Sequence, residues 1–483
     1  MTPSWRERGA LLAGRTAGLA ARRLGRGGGT ALPGLVAGAL APGLVEELSI
    51  ALGHGLVTVT GTNGKTTTAH LLAGILTEAG LDPLANRSGS NLERGIVAAY
   101  AAAVDGDGRL PRAERRIGIL EVDEAELPRL YPRLRPRVAV FLNLFRDQLD
   151  RYGEVDSVAT GWRAMLAGPA DTIVLLNADD PTVATLAEAV DRGVVTFGVD
   201  DDSVALTGPE HASDARFCPD GTRLRYDAIY MGHVGRWYCD CCGRRRPAPD
   251  VSARDVELLE DRARFTLAIG GSTVPVELPM TGLYTVYNAA AAAAAAHALA
   301  VDLDTIARGL AAVAAPFGRQ ERFAVDGRSV RVLLAKNPAG LNEVIRALAA
   351  SSPPFTVLAM LNDGIQDGRD VSWIYDADLE LLAPLAPTVV CAGDRAEDMA
   401  LRWHLAGVEP RAIHQQTERA LDAALDLTPA GGRLDVVATY TAMLDVREGL
   451  ARRTGTAAYW SAPDVAAPPA APPGRDRGIE VTR

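Results

Sequence analysis

"VTVTGTNGKTTTAHLLAGIL", residues 57–76, is the stretch on which the reading of this chain turns. A β-branched apolar run stops at a Gly-rich turn, and the turn opens directly into a helix-forming segment. Backbone N–H groups of such a turn, with the unpaired donors at the start of the helix, make an anion site. A lysine at its lip reaches the outer phosphates of a nucleotide, and the hydroxyl that follows can hold Mg²⁺. Here those positions are Gly61, Thr62, Asn63, Gly64, Lys65, Thr66 and Thr67. The first glycine of the longer phosphate-loop pattern would fall at Val59, so the match is to the shorter form GTNGKT. A Gly-rich turn alone is often only structural, whereas GKT at a strand-to-helix junction points to a nucleotide.

Outward from that loop the chain alternates short apolar runs with helical stretches: LVTVT (56–60), IGILEV (117–122), VAVFLN (138–143), TIVLLN (172–177) and VVTFG (194–198). Continuous apolar strands separated by helices imply a parallel sheet covered on both faces, an α/β nucleotide-binding architecture. Residues 203–250, rich in Cys, Gly, Pro and Arg, interrupt the rhythm as an insertion. "RFTLAIGGSTVPVEL" (264–278) reads as a hairpin turning at Gly270 and Gly271. The helix "YNAAAAAAAAHALA" (287–300) returns to the main domain. After "APFGRQERF" (315–323) a second alternation, VRVLLAK, FTVLAMLND, TVVCAG and RLDVVATY, predicts a smaller C-terminal α/β domain. The expected division is residues 1–316, 317–460 and a Pro- and Ala-rich tail from 461 to 483 without apolar periodicity, expected to be disordered.

With 483 residues the chain is too long for one core, and its net charge of -10 argues against a nucleic-acid partner. No apolar run approaches the ~20 residues needed to span a bilayer. The basic start, "WRERGALLAGRTAGLAARRLGRGGG", lacks a continuous apolar core and reads as an amphipathic first helix instead of a targeting peptide. Four of the five cysteines lie between 218 and 242, a clustering that suggests a local metal site in a reducing, cytoplasmic setting. Lys65 and Lys336 are the only two lysines among 50 basic residues. Arginine serves for positive charge everywhere else, so a job for a compact ammonium is expected at both. Lys336 sits in "LLAKNPAGLN", at the end of a strand just before a helix, where open α/β domains bind ligands.

TGTNGKTTT resembles the ATP-dependent Mur ligase family, which joins an amine to a carboxylate through an acyl phosphate. "LEVDEAEL" (120–127) resembles its strand-end acidic motif, implying Glu121 as a Mg²⁺ ligand with Thr66. "NADDP" (177–181) is similar to the adenine-side motif, implying Asn177 and Asp180. "TGLYTVYNAAAAAAA" (281–295) implies Asn288, and Arg319 is a further candidate for contacting nucleotide near the hinge. A closer resemblance is to one branch, the MurT family, through "GRGGGTALPG" (25–34), "FRDQLDRYGE" (145–154), a Cys-rich ribbon, "GRQERF" (318–323), "KNPAGLNEV" (336–344), "DGRDVSWIYDAD" (367–378) and "TYTAMLDVRE" (439–448).

That resemblance implies amidation of the α-carboxylate of D-Glu in the lipid II stem peptide to D-isoglutamine at the membrane surface, with ammonia from a separate glutaminase, GatD. Lys65, Glu121 and Lys336 would act at the phosphoryl group. Asp370, with Asp367 and Asp363 as alternates, would complete a Cys-His-Asp triad in the partner. Members carry two Cys-x-x-Cys zinc knuckles; here Cys239 and Cys242 keep the second, while the first keeps Cys218 and has Asp220 in place of a cysteine. Cys218, Asp220, Cys239 and Cys242 could supply four ligands, with Cys241 or His233 as substitutes; the alternative is a ribbon that has lost its metal. Gln148 stands where most members have a second Mg²⁺-binding His, Arg163 offers no carbamylatable amine, and Thr285 replaces a frequent Asn. A ligase adding an amino acid, as folylpolyglutamate synthases do, is the alternative activity; a nucleotide-dependent scaffold is a third.

Overall fold

The computed structural model describes residues 4–23, 32–86, 90–146, 155–168, 171–208, 210–211, 213–314, 319–350 and 354–456. Residues 315–318, where the expected domain division falls, and the tail from 457 lie outside them, as do Gln148 and the side chain of Arg319.

Seventeen strands form two sheets and a ribbon among the described residues. Strands β1 (Leu56–Thr60), β2 (Asp82–Ala85), β3 (Arg116–Glu121), β4 (Val138–Phe141), β5 (Ile173–Asn177) and β6 (Val194–Val199) are parallel. β9 (Val251–Leu258) joins β6 in parallel, and β10 (Ala263–Ile269) and β11 (Ser272–Leu278) extend the edge antiparallel. The order is β11-β10-β9-β6-β5-β4-β1-β3-β2, which leaves the phosphate-loop strand β1 flanked by β3 and β4, with every residue buried. The expected hairpin turns at Gly270 and Gly271, whose φ of 55° and 85° are those of a tight primed turn.

One face of this sheet is covered by the helices Lys65–Glu78 and Leu283–Ala298. The second is built on alanine: Ala289 to Ala296 are all buried, because the helix lies close against β6 and the first helix with no room for longer side chains. The other face carries the helices Trp5–Arg23, Leu32–Leu40 and Glu93–Ala103 and buries Trp162 against Phe141, ring centroids 5.1 Å apart. The expected amphipathic first helix is thus part of this layer.

The Cys-rich insertion forms a two-stranded ribbon, β7 (Arg225–Met231) and β8 (Val234–Tyr238). It is fastened by a buried ion pair from Arg246 to Asp179 (2.5 Å) and by Trp237 Nε1 donating to the Ala178 carbonyl (3.0 Å). The second sheet comprises β12 (Arg319–Val325), β13 (Arg328–Leu334), β14 (Thr356–Met360), β15 (Thr388–Ala392), β16 (Ala412–His414) and β17 (Arg433–Ala438), in the order β12-β13-β17-β14-β15-β16. All its pairs are parallel except β12 with β13. No single described helix is long and apolar enough to cross a membrane.

Polar joints link the two sheets. Gln320 accepts from Thr281 N (3.0 Å) and donates back to its carbonyl (2.6 Å), and Arg433 pairs with Glu260 (2.6 Å).

The alanine helix gives a direct test of the packing account. Ala292→Leu should destabilise the protein by about 1–3 kcal/mol through overpacking, whereas the exposed His297→Leu should stay within about 0.5 kcal/mol. Differential scanning calorimetry of the two variants checks both.

Candidate active site

The site forms where β1, β3 and β4 end. Gly61 (φ 133°) and Gly64 (φ 92°) take backbone conformations that side chains rarely adopt. A Cβ on Gly61 would approach Asn143 N and O at 2.9 Å, and one on Gly64 would fall on Asn288 Oδ1. The turn is tied to the segment after β4: Asn143 Oδ1 accepts from Asn63 N (2.9 Å), its Nδ2 donates to Asn63 O (3.0 Å), and Thr62 Oγ1 accepts from Phe145 N (2.9 Å).

Lys65 is nearly buried, its side chain 10% exposed. Its ammonium donates to the carbonyls of Gly61 (2.6 Å) and Thr62 (3.4 Å) and pairs with Glu124 Oε1 at 2.5 Å. Burial and neighbouring Asp123 push the Glu124 carboxyl up, while the charges of Lys65 and Lys336 pull it down. Thr66 Oγ1 donates to Glu121 Oε2 (2.8 Å), so the two expected Mg²⁺ ligands meet. Glu121 is itself held by an exchange with Asn86, which accepts from its N–H (2.8 Å) and donates to its carbonyl (2.9 Å).

Asn288 lies beside the loop, accepting from Thr68 Oγ1 (3.3 Å), and its buried Nδ2 has no partner among the described residues. An orphaned donor costs about 1–3 kcal/mol unless something accepts from it. Set beside a Gly-rich anion cradle, it suits a nucleotide. Asn177 and Asp180 turn out differently. Both are buried, Asn177 Nδ2 donates to Leu142 O (2.8 Å), and Asp180 accepts from Leu144, Thr182 and Val183 N–H groups while lying 3.4 Å from His233 Nε2. These hydrogen bonds tie the strand ends together beneath the site.

Lys336 stands at the end of β13, as expected, and Asn337 behind it caps the helix Pro338–Ala349 by accepting from Gly340 N (2.8 Å). The same amide exchanges hydrogen bonds with Asn63 of the phosphate loop, Nδ2 to Oδ1 at 2.9 Å one way and 3.4 Å the other. The second sheet therefore meets the first at the loop itself. Arg163 donates to Thr185 Oγ1 (3.1 Å).

In the ribbon, the Sγ atoms of Cys218, Cys239 and Cys242 lie within 4.8 Å of one another. Asp220 is not with them: its carboxylate pairs with Arg244 (3.1 Å), which Glu188 also holds (2.6 Å). His233 packs on the Phe145 ring (4.3 Å between centroids) beside Asp180, and Cys241 is exposed. The expected four-ligand set reduces to three thiols, a donor set that suits zinc with a fourth position open.

Of the three candidate aspartates after β14, Asp367 is buried with both oxygens on Thr441, and burial pushes its carboxyl up. Asp363 pairs with Arg395 (3.2 Å). Asp370 is exposed and accepts from Ser372 N (2.9 Å), and hydrogen bonding from the Ser372 side chain and backbone holds its carboxyl below the usual aspartate value.

Glu124, Asn143, Asn86 and Asn337 are the functional positions that sequence reasoning passed over. Asn337 carried a readable signal, an Asn before a proline at the first helical position. Glu124 lay inside the acidic motif but carried no mark to distinguish it from its neighbours.

Residues 59–232 match the Mur ligase middle domain and residues 334–443 the MurT ligase C-terminal domain. Among solved structures, a pseudomurein peptide ligase type C from Methanothermus fervidus superposes with a TM-score of 0.63 at 25% identity, over 81% of this chain and 77% of that one. MurF from Acinetobacter baumannii gives 0.63 at 22% identity, over 86% and 81%, a likeness of fold. Fold and phosphate loop together define a Mur ligase-type, ATP-dependent ligase. The chain is 33% identical over 446 residues to the lipid II isoglutaminyl synthase (glutamine-hydrolyzing) subunit MurT of Streptococcus pneumoniae, covering 92% of this chain and 96% of that relative. The Staphylococcus aureus (strain COL) MurT is 31% identical over 83% and 90%. The chain belongs to the MurT family.

Because Gly64 combines a left-handed φ with a blocked Cβ direction, Gly64→Ala should destabilise more than Gly327→Ala, whose φ is 74° but whose Cβ would meet nothing within 4 Å. The second carries only the conformational cost of about 1–2 kcal/mol. Thermal melts of both variants without ligand measure the difference.

Proposed function

We propose that this chain amidates the α-carboxylate of D-Glu in the lipid II stem peptide, giving D-isoglutamine, as the ligase subunit of a glutamine-hydrolysing synthase of peptidoglycan synthesis. The observation that carries the reading is the loop in which Lys65, Thr66, Glu121 and Asn288 converge, in a chain aligned along nearly its whole length with relatives named for that reaction. A carboxylate is a poor acyl donor until phosphorylated. The cradle of Gly61 to Thr67 would hold the ATP phosphates, Lys65 would meet the charge on the transferred phosphoryl group, and Asn288 Nδ2 would donate to the nucleotide. Mg²⁺, held by Thr66 and Glu121, would neutralise further charge there. Lys336, arriving with the second domain, would contact the γ-phosphate or the acyl phosphate. Closure of that domain keeps water from the acyl phosphate, so ammonia takes the carbonyl carbon and phosphate leaves.

The relatives are named as subunits, which implies a partner; we infer a GatD-type glutaminase that delivers the ammonia within the cytoplasm. Asp370 would be the aspartate offered to the partner, a reading supported by the bonds that Asp367 and Asp363 make inside the chain. Exposed Ile365 and Tyr375 flank it on the same loop. A carboxylate behind a partner histidine fixes its tautomer and stabilises the imidazolium. Zinc on Cys218, Cys239 and Cys242 would stiffen the ribbon. Addition of an amino acid is the second reading; the Cys ribbon and Asp-rich loop favour amidation.

With Mg²⁺, ATP, ammonium and a lipid II acceptor, mass spectrometry should find the acceptor's hydroxyl replaced by an amino group. A large mass gain would mean amino-acid addition, and no ATP turnover would refute both ligase readings. Lys65→Ala should lower the rate by at least about 10²-fold. Asp370→Asn should spare ammonium-driven amidation yet abolish glutamine-driven activity with the partner; equal loss in both assays would refute the interface role. Elemental analysis should give about one zinc per chain, removed in Cys239→Ser.

A further inference from the structure

The amphipathic first helix has an outer face that the fold does not bury. In Trp5–Arg23 the inner residues Ala10, Leu11, Gly14 and Gly18 are buried, and Gly14 admits the neighbouring helix Leu32–Leu40, because a Cβ there would meet Pro33 O at 2.6 Å. The two helices run in opposite directions, with Arg6 Nε donating to Leu40 O (3.2 Å) toward the other end. On the outer side Trp5 is 82% exposed, and Leu19, Leu32, Leu35 and Leu40 are 44–53% exposed. Trp5, Leu12 and Leu19 recur every seven residues, about two turns, and so share one line along the helix. Large apolar side chains grouped in the open on neighbouring helices mark an interaction surface.

The same segment is basic. Residues 1–40 hold six arginines and a single acidic residue, Glu7, in a chain whose net charge is -10. Glu7 is half-buried and its carboxylate accepts from Ser4 N (2.7 Å). Arg6 and Arg15 donate instead to neutral carbonyls, those of Leu40 and Val104 (3.2 and 2.6 Å), which leave their charge uncancelled. Tryptophan and leucine beside arginines is the composition of a helix that lies in a membrane interface, with the indole at headgroup level and the guanidinium forks on lipid phosphates. A second copy of the chain fits this face less well, because a two-fold dimer through it would set like charges against one another. No single described helix is long and apolar enough to cross a bilayer, so the contact is a peripheral one.

We propose that the outer face of the helices Trp5–Arg23 and Leu32–Leu40 docks the protein on the anionic phospholipid headgroups of a membrane surface. The inference rests on the reading of lipid II as acceptor: a substrate anchored in a bilayer is met only by an enzyme that comes to its surface. Docking holds the protein in the layer where successive acceptors diffuse, and it acts on KM for the anchored acceptor without touching the chemistry at the phosphate loop.

Co-sedimentation of the full chain with vesicles tests it. Binding to vesicles of mixed phosphatidylglycerol and phosphatidylcholine should be at least about tenfold tighter than to phosphatidylcholine alone, and should weaken as salt is added. The double substitution Leu19→Asp with Leu35→Asp should lower it at least about tenfold. Leu427→Asp, at an exposed leucine of the second domain, should leave it unchanged. No binding, equal binding to both kinds of vesicle, or binding that the double variant retains would overturn the proposal. So would a dimer in sedimentation velocity that the double variant abolishes, since the face would then belong to a second copy. Should the double variant fail to fold, brominated acyl chains in the mixed vesicles decide: they should quench the parent chain more than Trp5→Phe, and equal quenching would contradict the proposal. An acceptor with its lipid shortened until it is soluble separates this inference from the proposed function. Parent and double variant should amidate it at equal rates, while KM for the vesicle-borne acceptor rises several-fold in the variant alone. A parent chain that binds vesicles but amidates neither acceptor would refute the amidation reading and leave the docking supported.

Discussion

A buried ammonium sets the terms for the rest of the molecule. Lys65 has exchanged water for two carbonyls and one carboxylate, and a cation in so dry a place persists only if every one of its donors is met. Meeting them requires the turn to curl back over its own helix, which in turn requires glycine at Gly61 and Gly64. It requires β3 to deliver Glu124 at its end and β4 to brace the turn through Asn143. The parallel order around β1 follows from the same demand, because only strands running the same way bring their carboxyl ends together at one edge.

The second domain answers the same site from the other side. Its contribution to the loop is small, an amide pair from the junction between β13 and a helix that begins with a proline. A short, stiff junction of this kind places its residues with little freedom. Contacts at Gln320–Thr281 and Arg433–Glu260 lie elsewhere along the seam and are polar, as contacts between domains of one chain commonly are.

Much of the fold was legible because it is written in period and punctuation. The run 56–60 emerges as β1 residue for residue, and Gly-Gly at 270–271 marks the hairpin. The phosphate loop was legible because its chemistry needs unusual residues in a fixed order, and the rarity of lysine singled out Lys336. What sequence concealed were roles fixed by distance. Asp180 belongs to a motif associated with nucleotide, yet its oxygens are spent on backbone N–H groups. Asp220 occupies a cysteine's place, yet an arginine from the far arm of the ribbon takes it out of the thiol cluster. Glu124 has a neighbour 59 residues away in sequence. Pairings across such separations leave no local pattern, because either partner alone looks like an ordinary charged residue.

The central claim is that ATP activates a carboxylate as an acyl phosphate at this loop. It is tested most directly by giving the protein an acceptor whose carboxylate carries heavy oxygen, together with Mg²⁺, ATP and ammonium, and analysing the inorganic phosphate released. The account predicts that one labelled oxygen per turnover moves from the carboxylate into phosphate, because the bond broken when ammonia adds is the one between the acyl carbon and that oxygen. Unlabelled phosphate accompanying amidated product would contradict it.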